Sequence, residues 1–379
     1  MKNVIIKQHT QDNLKETGFS LIDLIAILVV LSLFLGLLFP AFVSSRGAAR
    51  LQMCEANLKR FGEAIHSFNE KKEGLPPITI GQSRPSIFIL LSPYYDKTDV
   101  WDIVVSNSDN CRKQTNGKWW NSLPKKDRKI IGTISLFHCP SRRSGLQTLE
   151  IKGIKDNSWG NRDAGPLGPL CDYAVPMSRG VNINNPLEFP DSSNDYSNFA
   201  CETRWDKYWD PFNPKHFQEQ HGPLRVAVVE TSFENKQESG DYRNWTPRDN
   251  ISRFSDGFSY QILLGEKHIP AARLQQCSST FPKARLWDCG VLFSDDNGRQ
   301  FGFARGLENT GEIQQIIVSS PDAFIDGHPF QYSFGSFHPG CCPFVFADGA
   351  VKRINVLIKP LIVCQLGCVD DGQPDNVWW

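Results

Sequence analysis

The sequence predicts an α+β fold in which one long N-terminal helix packs on a β-rich and loop-rich domain. The first observation is an uncharged apolar run at residues 24–39, which leads into a stripe of apolar residues at helical spacing. The second is a set of short apolar runs separated by segments rich in Gly, Pro, Asn and Ser, a pattern typical of strands and loops. The third is an Asp-Gly pair between two apolar runs near the C-terminus, which predicts a β-hairpin.

The composition argues against several functional classes. Lys and Arg number 41 and Asp and Glu number 41, so no net charge indicates binding to nucleic acid. Hydrophobic residues make up 40% and charged residues 22% of the 379 residues, which is typical of a folded globular protein. The sequence contains no nucleophile elbow, P-loop or His-Glu-x-x-His motif, so we do not expect an enzyme.

The N-terminal apolar run is long enough for a membrane-spanning helix. Residues 21–43 form a stretch of 23 residues, and a helix of that length covers a hydrocarbon layer of roughly 30 Å. The preceding residues are polar and carry Lys2, Lys7 and Lys15, which favours a cytoplasmic N-terminus. Asp23 interrupts the run. A carboxylate inside lipid costs about 2.5–3.5 kcal/mol, so we expect it to have a charged partner.

Residues 18–23, Gly-Phe-Ser-Leu-Ile-Asp, resemble the processing site of type IV prepilins and type II secretion pseudopilins. The resemblance implies that a prepilin peptidase cuts between Gly18 and Phe19 and methylates the new terminus. It also implies that the carboxylate of Asp23, which is Glu in the family, meets the terminal amine of a neighbouring subunit. Pro40 falls at the helix-bending proline of the family. An uncleaved signal anchor is the alternative, and it explains the apolar run but not the spacing of residues 18–23.

The apolar stripe extends the helix beyond the predicted span. Its members recur at spacings of three and four residues: Leu51, Cys54, Leu58, Phe61, Ile65 and Phe68. Gly74 and the prolines at 76–77 end the pattern. We therefore expect a leader at residues 1–18, a transmembrane segment at 19–43, an amphipathic helix at 44–75 and an extracytoplasmic domain at 76–379.

Five segments resemble, in order, those of a bacterial family of pilin-like proteins, the domain of unknown function 1559. They are residues 46–77, the Phe-x-Cys-Pro-Ser element at 137–141, and residues 171–174, 251–267 and 336–355. The last segment contains the family signature, in which nine residues separate His338 from Asp348-Gly349. Cys341 stands where the family has a second Gly after Gly340.

The residues of the signature themselves predict a hairpin. Asp348-Gly349 lies between apolar runs at 343–347 and 350–356, which indicates a two-residue type I′ turn. His338 and Gly340 lead into the first strand. We favour a structural role for His338 over a role as a metal ligand or base.

Eleven cysteines are many for a chain of this size, and several should pair in an oxidising compartment. Cys54 lies on the apolar stripe, and Cys139 lies in the Phe-x-Cys-Pro-Ser element that should pack on it. We hypothesise a Cys54–Cys139 disulfide. Buried free thiols are the alternative, and the remaining connectivity stays open.

No metal site is predicted. Zinc ligands are available in a set of five residues: His138, Cys139, His338, Cys341 and Cys342. No Cys-x-x-Cys pair supports such a site. Residues 294–298 offer oxygen ligands for calcium but lack a full Asp-x-Asp-x-Asp-Gly loop, so a turn is favoured.

These inferences indicate a pilin-like or pseudopilin-like structural or interaction protein, assembled in a pilus-like or secretion filament or at its tip. Its expected partners are the prepilin peptidase and other pilin-like subunits. We expect a single-pass protein of the bacterial inner membrane, with a cytoplasmic N-terminus and its domain in the periplasm or on the cell surface. The alternative is a membrane-anchored extracytoplasmic binding protein for a glycan or an envelope protein. Tryptophans such as Trp119-Trp120 either form an aromatic surface for such a partner or pack in the core.

Overall fold

The computed structural model has the mixed α+β architecture that the sequence predicts. It describes residues 20–80, 84–106, 116–143, 148–149, 167–177, 222–229, 245–275, 277, 288–293, 302, 304–306, 317–318, 320–323, 333–369 and 372. The predicted processing residues Gly18 and Phe19 lie outside these ranges, as does the candidate calcium segment at 294–298. The side chain of Pro40 is also outside the described part.

The described residues form six α-helices and eleven strands. The helices are α1 Leu21–Lys72, α2 Ile87–Leu90, α3 Thr98–Ser106, α4 Asn116–Ser122, α5 Lys125–Gly132 and α6 Pro360–Leu366. The strands are β1 Thr148–Leu149, β2 Gly168–Pro169, β3 Tyr173–Met177, β4 Val228–Val229, β5 Trp245–Thr246, β6 Ile262–Glu266, β7 Ala304–Gly306, β8 Ile317–Val318, β9 Phe334–Gly335, β10 Cys341–Phe346 and β11 Val351–Asn355.

The central sheet has five strands in the order β11-β10-β6-β3-β7. The first four strands pair antiparallel, and β3 pairs parallel with β7. Short two-stranded pairs, β1-β2, β4-β5 and β8-β9, accompany it. Because β6 runs antiparallel to both of its neighbours, the end of β6 lies beside the beginnings of β3 and β10.

Helix α1 begins with reciprocal capping. The backbone N–H of Ile22 donates to Ser20 Oγ at 3.3 Å, and the backbone N–H of Ser20 donates to the carboxylate of Asp23 at 3.1 Å. This resembles a capping box with Asp in the acidic position, except that the Ser20 hydroxyl accepts from the second helical residue and not the third. The helix ends at Lys72, before Glu73 with φ of 54° and Gly74, as the sequence predicts.

The two parts of α1 differ in their surroundings. The described residues up to position 49 and those from position 50 onward belong to two separate units. In the first unit the described large apolar side chains from Leu21 to Phe42 are 50–74% exposed. In the second unit the predicted stripe is buried from Cys54 to Phe68. Among the described residues, no helix combines the length and the hydropathy needed to cross a membrane.

The C-terminal hairpin is confirmed, but the predicted turn type is wrong. Strands β10 and β11 pair in register from Cys341 with Asn355 to Val345 with Val351. Gly349 adopts a positive φ of 78°, whereas Asp348 does not, so the turn is not type I′. The N–H of Gly349 donates to the carbonyl of Phe346 at 2.9 Å, and Asp348 Oδ1 accepts from the N–H of Ala350. The loop is therefore a type I turn followed by a left-handed Gly.

Trp119 and Trp120 are fully buried, so they belong to the core and do not form an aromatic surface. Trp119 packs edge-on against Phe293 with ring centroids 4.7 Å apart. The tryptophans at 205, 209, 378 and 379 lie outside the described residues.

Gly265 in the middle of β6 is required by close packing. It pairs with Phe344 and Ala174, and an added Cβ would overlap the Phe344 ring. We expect Gly265→Ala to lower the free energy of unfolding by about 1–3 kcal/mol, because the core would be overpacked. Chemical denaturation of the full chain measures the change.

The control for this prediction is Gly47→Ala, since a Cβ at Gly47 would have no described atom within 4 Å apart from the adjacent backbone of α1 itself. That substitution should leave stability unchanged or slightly raised. Adding Phe344→Leu to Gly265→Ala should restore part of the loss. Equal effects of the two Gly substitutions would contradict the packing argument.

Candidate functional site: a buried polar cluster beneath helix α1

The polar cluster lies at the end of the sheet where β6 finishes and β3 and β10 start. Glu266 is the last residue of β6, and it pairs in register with Tyr173, the first residue of β3. Asp172 precedes β3, and His338 lies three residues before β10. The antiparallel topology thus brings together three polar residues that are far apart in the sequence.

A loop after Phe137 closes over this end of the sheet. The N–H groups of Arg142 and Arg143 both donate to the carbonyl of Cys139 at 2.9 Å, which folds the loop into a tight turn. The N–H of Asp172 donates to the carbonyl of Phe137 at 2.8 Å, and the N–H of Cys139 donates to Asp172 Oδ2 at 2.8 Å. The Phe-x-Cys-Pro-Ser element is therefore held directly on the start of β3.

Two buried arginines bridge three buried carboxylates. Arg143 Nε lies 2.7 Å from Asp172 Oδ1, and its two terminal nitrogens lie 2.6 and 2.7 Å from the oxygens of Asp288. Arg142 lies 3.1 Å from Asp172 and 3.8 Å from Glu266. These side chains are at most 1% exposed. Removing one partner of such a pair typically costs about 3–5 kcal/mol, because a buried charge is left without compensation.

The arginines also determine the ionisation of Asp172. Burial by itself raises the pKa of Asp172, but the charges of Arg143 and Arg142 hold that pKa well below its usual range. Asp172 is therefore a carboxylate throughout the physiological pH range.

A second group of polar atoms surrounds Glu266. His338 Nε2 lies 3.4 Å from Glu266 Oε1 and 3.5 Å from Cys139 Sγ. The Cys54 and Cys139 sulfurs are 2.7 Å apart. His338 Nδ1 lies 3.4 Å from Ser141 Oγ, and the backbone N–H of His338 donates to Ser336 Oγ at 3.0 Å. We call the four residues Cys54, Cys139, Glu266 and His338 the Cys-His-Glu cluster.

The ionisable groups of the Cys-His-Glu cluster perturb one another. Burial would lower the pKa of His338, but its contacts with Cys139 and Glu266 raise it to about 9. Burial would raise the pKa of Glu266, but His338 and Arg142 lower it. The hydrogen bond to Cys139, together with burial, raises the pKa of the Cys54 thiol. A charged imidazolium beside a carboxylate is therefore the favoured state at neutral pH.

Helix α1 forms one wall of this region. The Asn57 side-chain amide donates to the carbonyl of His138 at 3.1 Å and contacts Tyr173 Oη at 3.2 Å. One turn further on, Phe61 packs against the rings of Phe88, Phe137 and Tyr173 with centroids 5.2–6.2 Å apart. The predicted stripe thus places Cys54 at the cluster and Phe61 in the core beside it.

The structure brings some of the predicted site residues together and separates others. Cys54 and Cys139 meet, as the hypothesis of a bridge requires, but their sulfurs are not bonded and the bridge remains a prediction. His338 joins them. Asp348 and Gly349 lie at the far end of the hairpin, where an added Cβ at Gly349 would approach His66 of α1.

The zinc set considered from the sequence does not assemble as a unit. His138 Nε2 lies 3.1 Å from the carbonyl of Leu170, and burial lowers the pKa of His138. Cys342 Sγ lies 3.6 Å from the carbonyl of Glu266, and Cys341 is only partly buried. Gly340 has a φ of 75°, which explains a Gly before β10.

Sequence reasoning missed one disulfide and most of the charge network. Cys277 and Cys289 form a disulfide with a sequence separation of 12. Asp288, next to Cys289, accepts from the N–H of Gln275 at 2.7 Å as well as from Arg143. The available signal was the pair of arginines directly after the Phe-x-Cys-Pro-Ser element, since charges beside buried residues require partners.

The burial of the Cys-His-Glu cluster limits what it can do chemically. Its four residues are 0–5% exposed. Such a group fits a role in holding elements together or in binding a small ion better than a role in contacting a large substrate.

Two buried cationic groups should give stability opposite dependences on pH. The pKa of His338 is raised to about 9 from 6.5, so its contribution to stability is lost as pH rises from 6.5 to 9. Burial lowers the pKa of Lys267 to about 7 from 10.5, with Arg305 adding to the shift, so its charging penalty is relieved as pH rises above 7.

Between pH 7 and 9, the free energy of unfolding of His338→Gln should therefore rise more steeply with pH than that of the wild type. The free energy of unfolding of Lys267→Met should fall with rising pH over the same range. Each change of slope is at most about 1.4 kcal/mol per pH unit. Denaturant unfolding at several pH values, with chelator and reductant present, measures the slopes. Identical slopes for wild type and both variants would contradict these pKa values.

Comparison with protein families agrees with the family resemblance of the five segments described from the sequence. No curated protein and no solved structure matches the chain. Residues 43–360 match the model of a family described as "Protein of unknown function (DUF1559)". The match includes all four residues of the Cys-His-Glu cluster and covers well over half of the chain. The protein therefore belongs to the domain-of-unknown-function 1559 family.

Proposed function

We propose that the protein is a pilin-like or pseudopilin-like subunit that assembles through the first part of α1. The observation that supports this proposal most strongly is the apolar surface of that helix. The described Leu, Ile, Val and Phe side chains from Leu21 to Phe42 are at least half exposed, and they occupy successive positions around the helix. A continuous apolar surface of this kind requires lipid or partner helices to cover it.

The polar groups within this segment are also consistent with an apolar environment. Ser32 Oγ donates to the carbonyl of Val29 at 2.8 Å, and Ser45 Oγ donates to the carbonyl of Phe42 at 3.0 Å. Both hydroxyl groups thus have a partner within their own helix, which lipid requires because it offers no hydrogen bonds.

On this proposal the prepilin peptidase removes residues 1–18, and residues 19–43 hold the processed chain in the bacterial inner membrane. The domain then lies in the periplasm or on the cell surface, and the filament is pilus-like or of the secretion type. The resemblance of residues 18–23 to prepilin sites supports the processing step. The family itself has no defined role, so it adds nothing about a cargo or ligand.

Mass spectrometry of the N-terminus, on protein from its own membranes, tests the proposal. We expect a terminal peptide that begins at N-methylated Phe19. The assembled fraction, collected by sedimentation after shearing, should contain the wild-type protein. An intact terminus at Met1 or Lys2 would contradict processing, and the alternative of an anchored binding protein for a glycan or envelope protein would replace it.

Two substitutions at Asp23 separate its charge from its capping role. Asp23→Asn keeps an oxygen that can accept from the Ser20 N–H but removes the charge, whereas Asp23→Ala removes both. If the Asp23 charge pairs with the terminal amine of a neighbouring subunit, both variants should be lost from the assembled fraction. Retention of Asp23→Asn with loss of Asp23→Ala would show that Asp23 acts only as a helix cap.

A further inference from the structure

We propose that Cys54, Cys139, His338 and Glu266 form a buried binding site for a divalent cation of the zinc type when both cysteines are reduced. One donor atom from each residue lies within 4.8 Å of all the others. The four residues come from α1, the loop after Phe137, the end of β6 and the segment before β10. A bound ion would therefore connect these four parts of the chain.

The donor chemistry is that of a zinc site. Thiolate, imidazole and carboxylate are the three side-chain ligand types that Zn²⁺ uses, and four such donors complete a tetrahedral shell. Bond lengths of about 2.0–2.3 Å place the donors of a tetrahedral site about 3.3–3.8 Å apart. His338 Nε2 already has this spacing, at 3.4 Å from Glu266 Oε1 and 3.5 Å from Cys139 Sγ.

Binding requires one adjustment at the sulfurs. They are 2.7 Å apart, so an ion would have to separate them by about 1 Å. The same two sulfurs would have to approach each other to form a disulfide. A disulfide contains no thiolate, so the predicted Cys54–Cys139 bridge and the metal site exclude one another.

The surroundings of the Glu266 carboxylate are an independent observation that favours a cation. The Glu266 side chain is fully buried, and neither carboxylate oxygen has a hydrogen-bond partner of good geometry among the described residues. Its uncharged polar neighbours are the Ser336 hydroxyl and the Cys54 thiol. The nearest charged nitrogens lie 3.4 Å away on His338 and 3.8 Å away on Arg142. Buried carboxylates normally have close partners, and a cation between Glu266 and the sulfurs would supply one.

The surroundings resemble the support that metal ligands usually have. Ser141 Oγ lies 3.4 Å from His338 Nδ1, on the side of the imidazole opposite the cluster, so it orients Nε2 towards the donors. Arg142 lies against Glu266 and Asp172. Its positive charge compensates the negative charge of Glu266, which remains after the two thiolates have neutralised the divalent ion. Two thiolates balance the two charges of the ion.

Metal titration of the reduced full chain, purified in detergent and freed of metal with a chelator, tests the proposal. We expect one equivalent of Zn²⁺ or Co²⁺ per chain. The Co²⁺ form should show the near-ultraviolet absorption of a thiolate-to-metal charge transfer. Zn²⁺ should also raise the thermal unfolding midpoint of the reduced wild-type protein.

Cys139→Ser, His338→Gln and Glu266→Gln should each weaken binding at least tenfold. The matched controls are Cys341→Ser and His138→Gln, since these residues adjoin the cluster without belonging to it, and both should bind as the wild type does. If a ligand variant fails to fold, the Co²⁺ absorption and the midpoint shift of the wild type still decide. Absence of both in the reduced wild type, or binding unaffected by all three ligand variants, would overturn the proposal.

Discussion

The ion pairs that Arg142 and Arg143 form with Asp172 are the interaction on which the rest of this domain depends. Asp172 directly precedes β3 of the five-stranded sheet, and its carboxylate also accepts from the backbone N–H of Cys139. A buried carboxylate and two buried guanidinium groups are each costly alone, so their positions are mutually determined. Arg143 extends the same network to Asp288, next to the disulfide at Cys289.

These ion pairs explain why polar residues from several of the family-like segments meet in one place. The arginines that follow the Phe-x-Cys-Pro-Ser element reach Asp172, and the element so held places Cys139 beside Cys54 of α1. His338 and Glu266 complete the group from the hairpin and from β6. The second part of α1 is therefore attached to the domain through polar contacts at Cys54 and Asn57 as well as through apolar packing at Phe61.

The spacing of apolar residues predicted much of this fold, because residues that recur at that spacing lie on one face of an element and that face is buried. The stripe from Cys54 to Phe68 is buried, and the hairpin around Asp348-Gly349 forms. The type of turn was not predictable, since Asp-Gly also fits a type I turn with a left-handed Gly. The expected proximity of Cys54 and Cys139 combined the helical spacing of the stripe with the family resemblance of the Phe-x-Cys-Pro-Ser element.

The charge network could not be predicted because sequence patterns do not show which distant strand ends meet. Asp172 and Glu266 lie 94 positions apart and become neighbours only through the pairing of β3 with β6. Trp119 and Trp120 left a core and a surface position equally open in the sequence, and only packing against residues such as Phe293 decides for the core. Local patterns thus define the elements, whereas the buried polar site depends on their topology.

Hydrogen–deuterium exchange of the full chain, comparing wild type with Asp172→Asn, tests most directly whether this network holds the domain together. Asp322→Asn, an exposed change, is the control. With both variants folded, we expect Asp172→Asn to lose protection jointly in residues 54–68, 135–143 and 262–268, because α1, the loop and β6 depend on one cluster. Loss confined to residues 135–143 would contradict the account, since α1 and the sheet would then be held without the ion pairs.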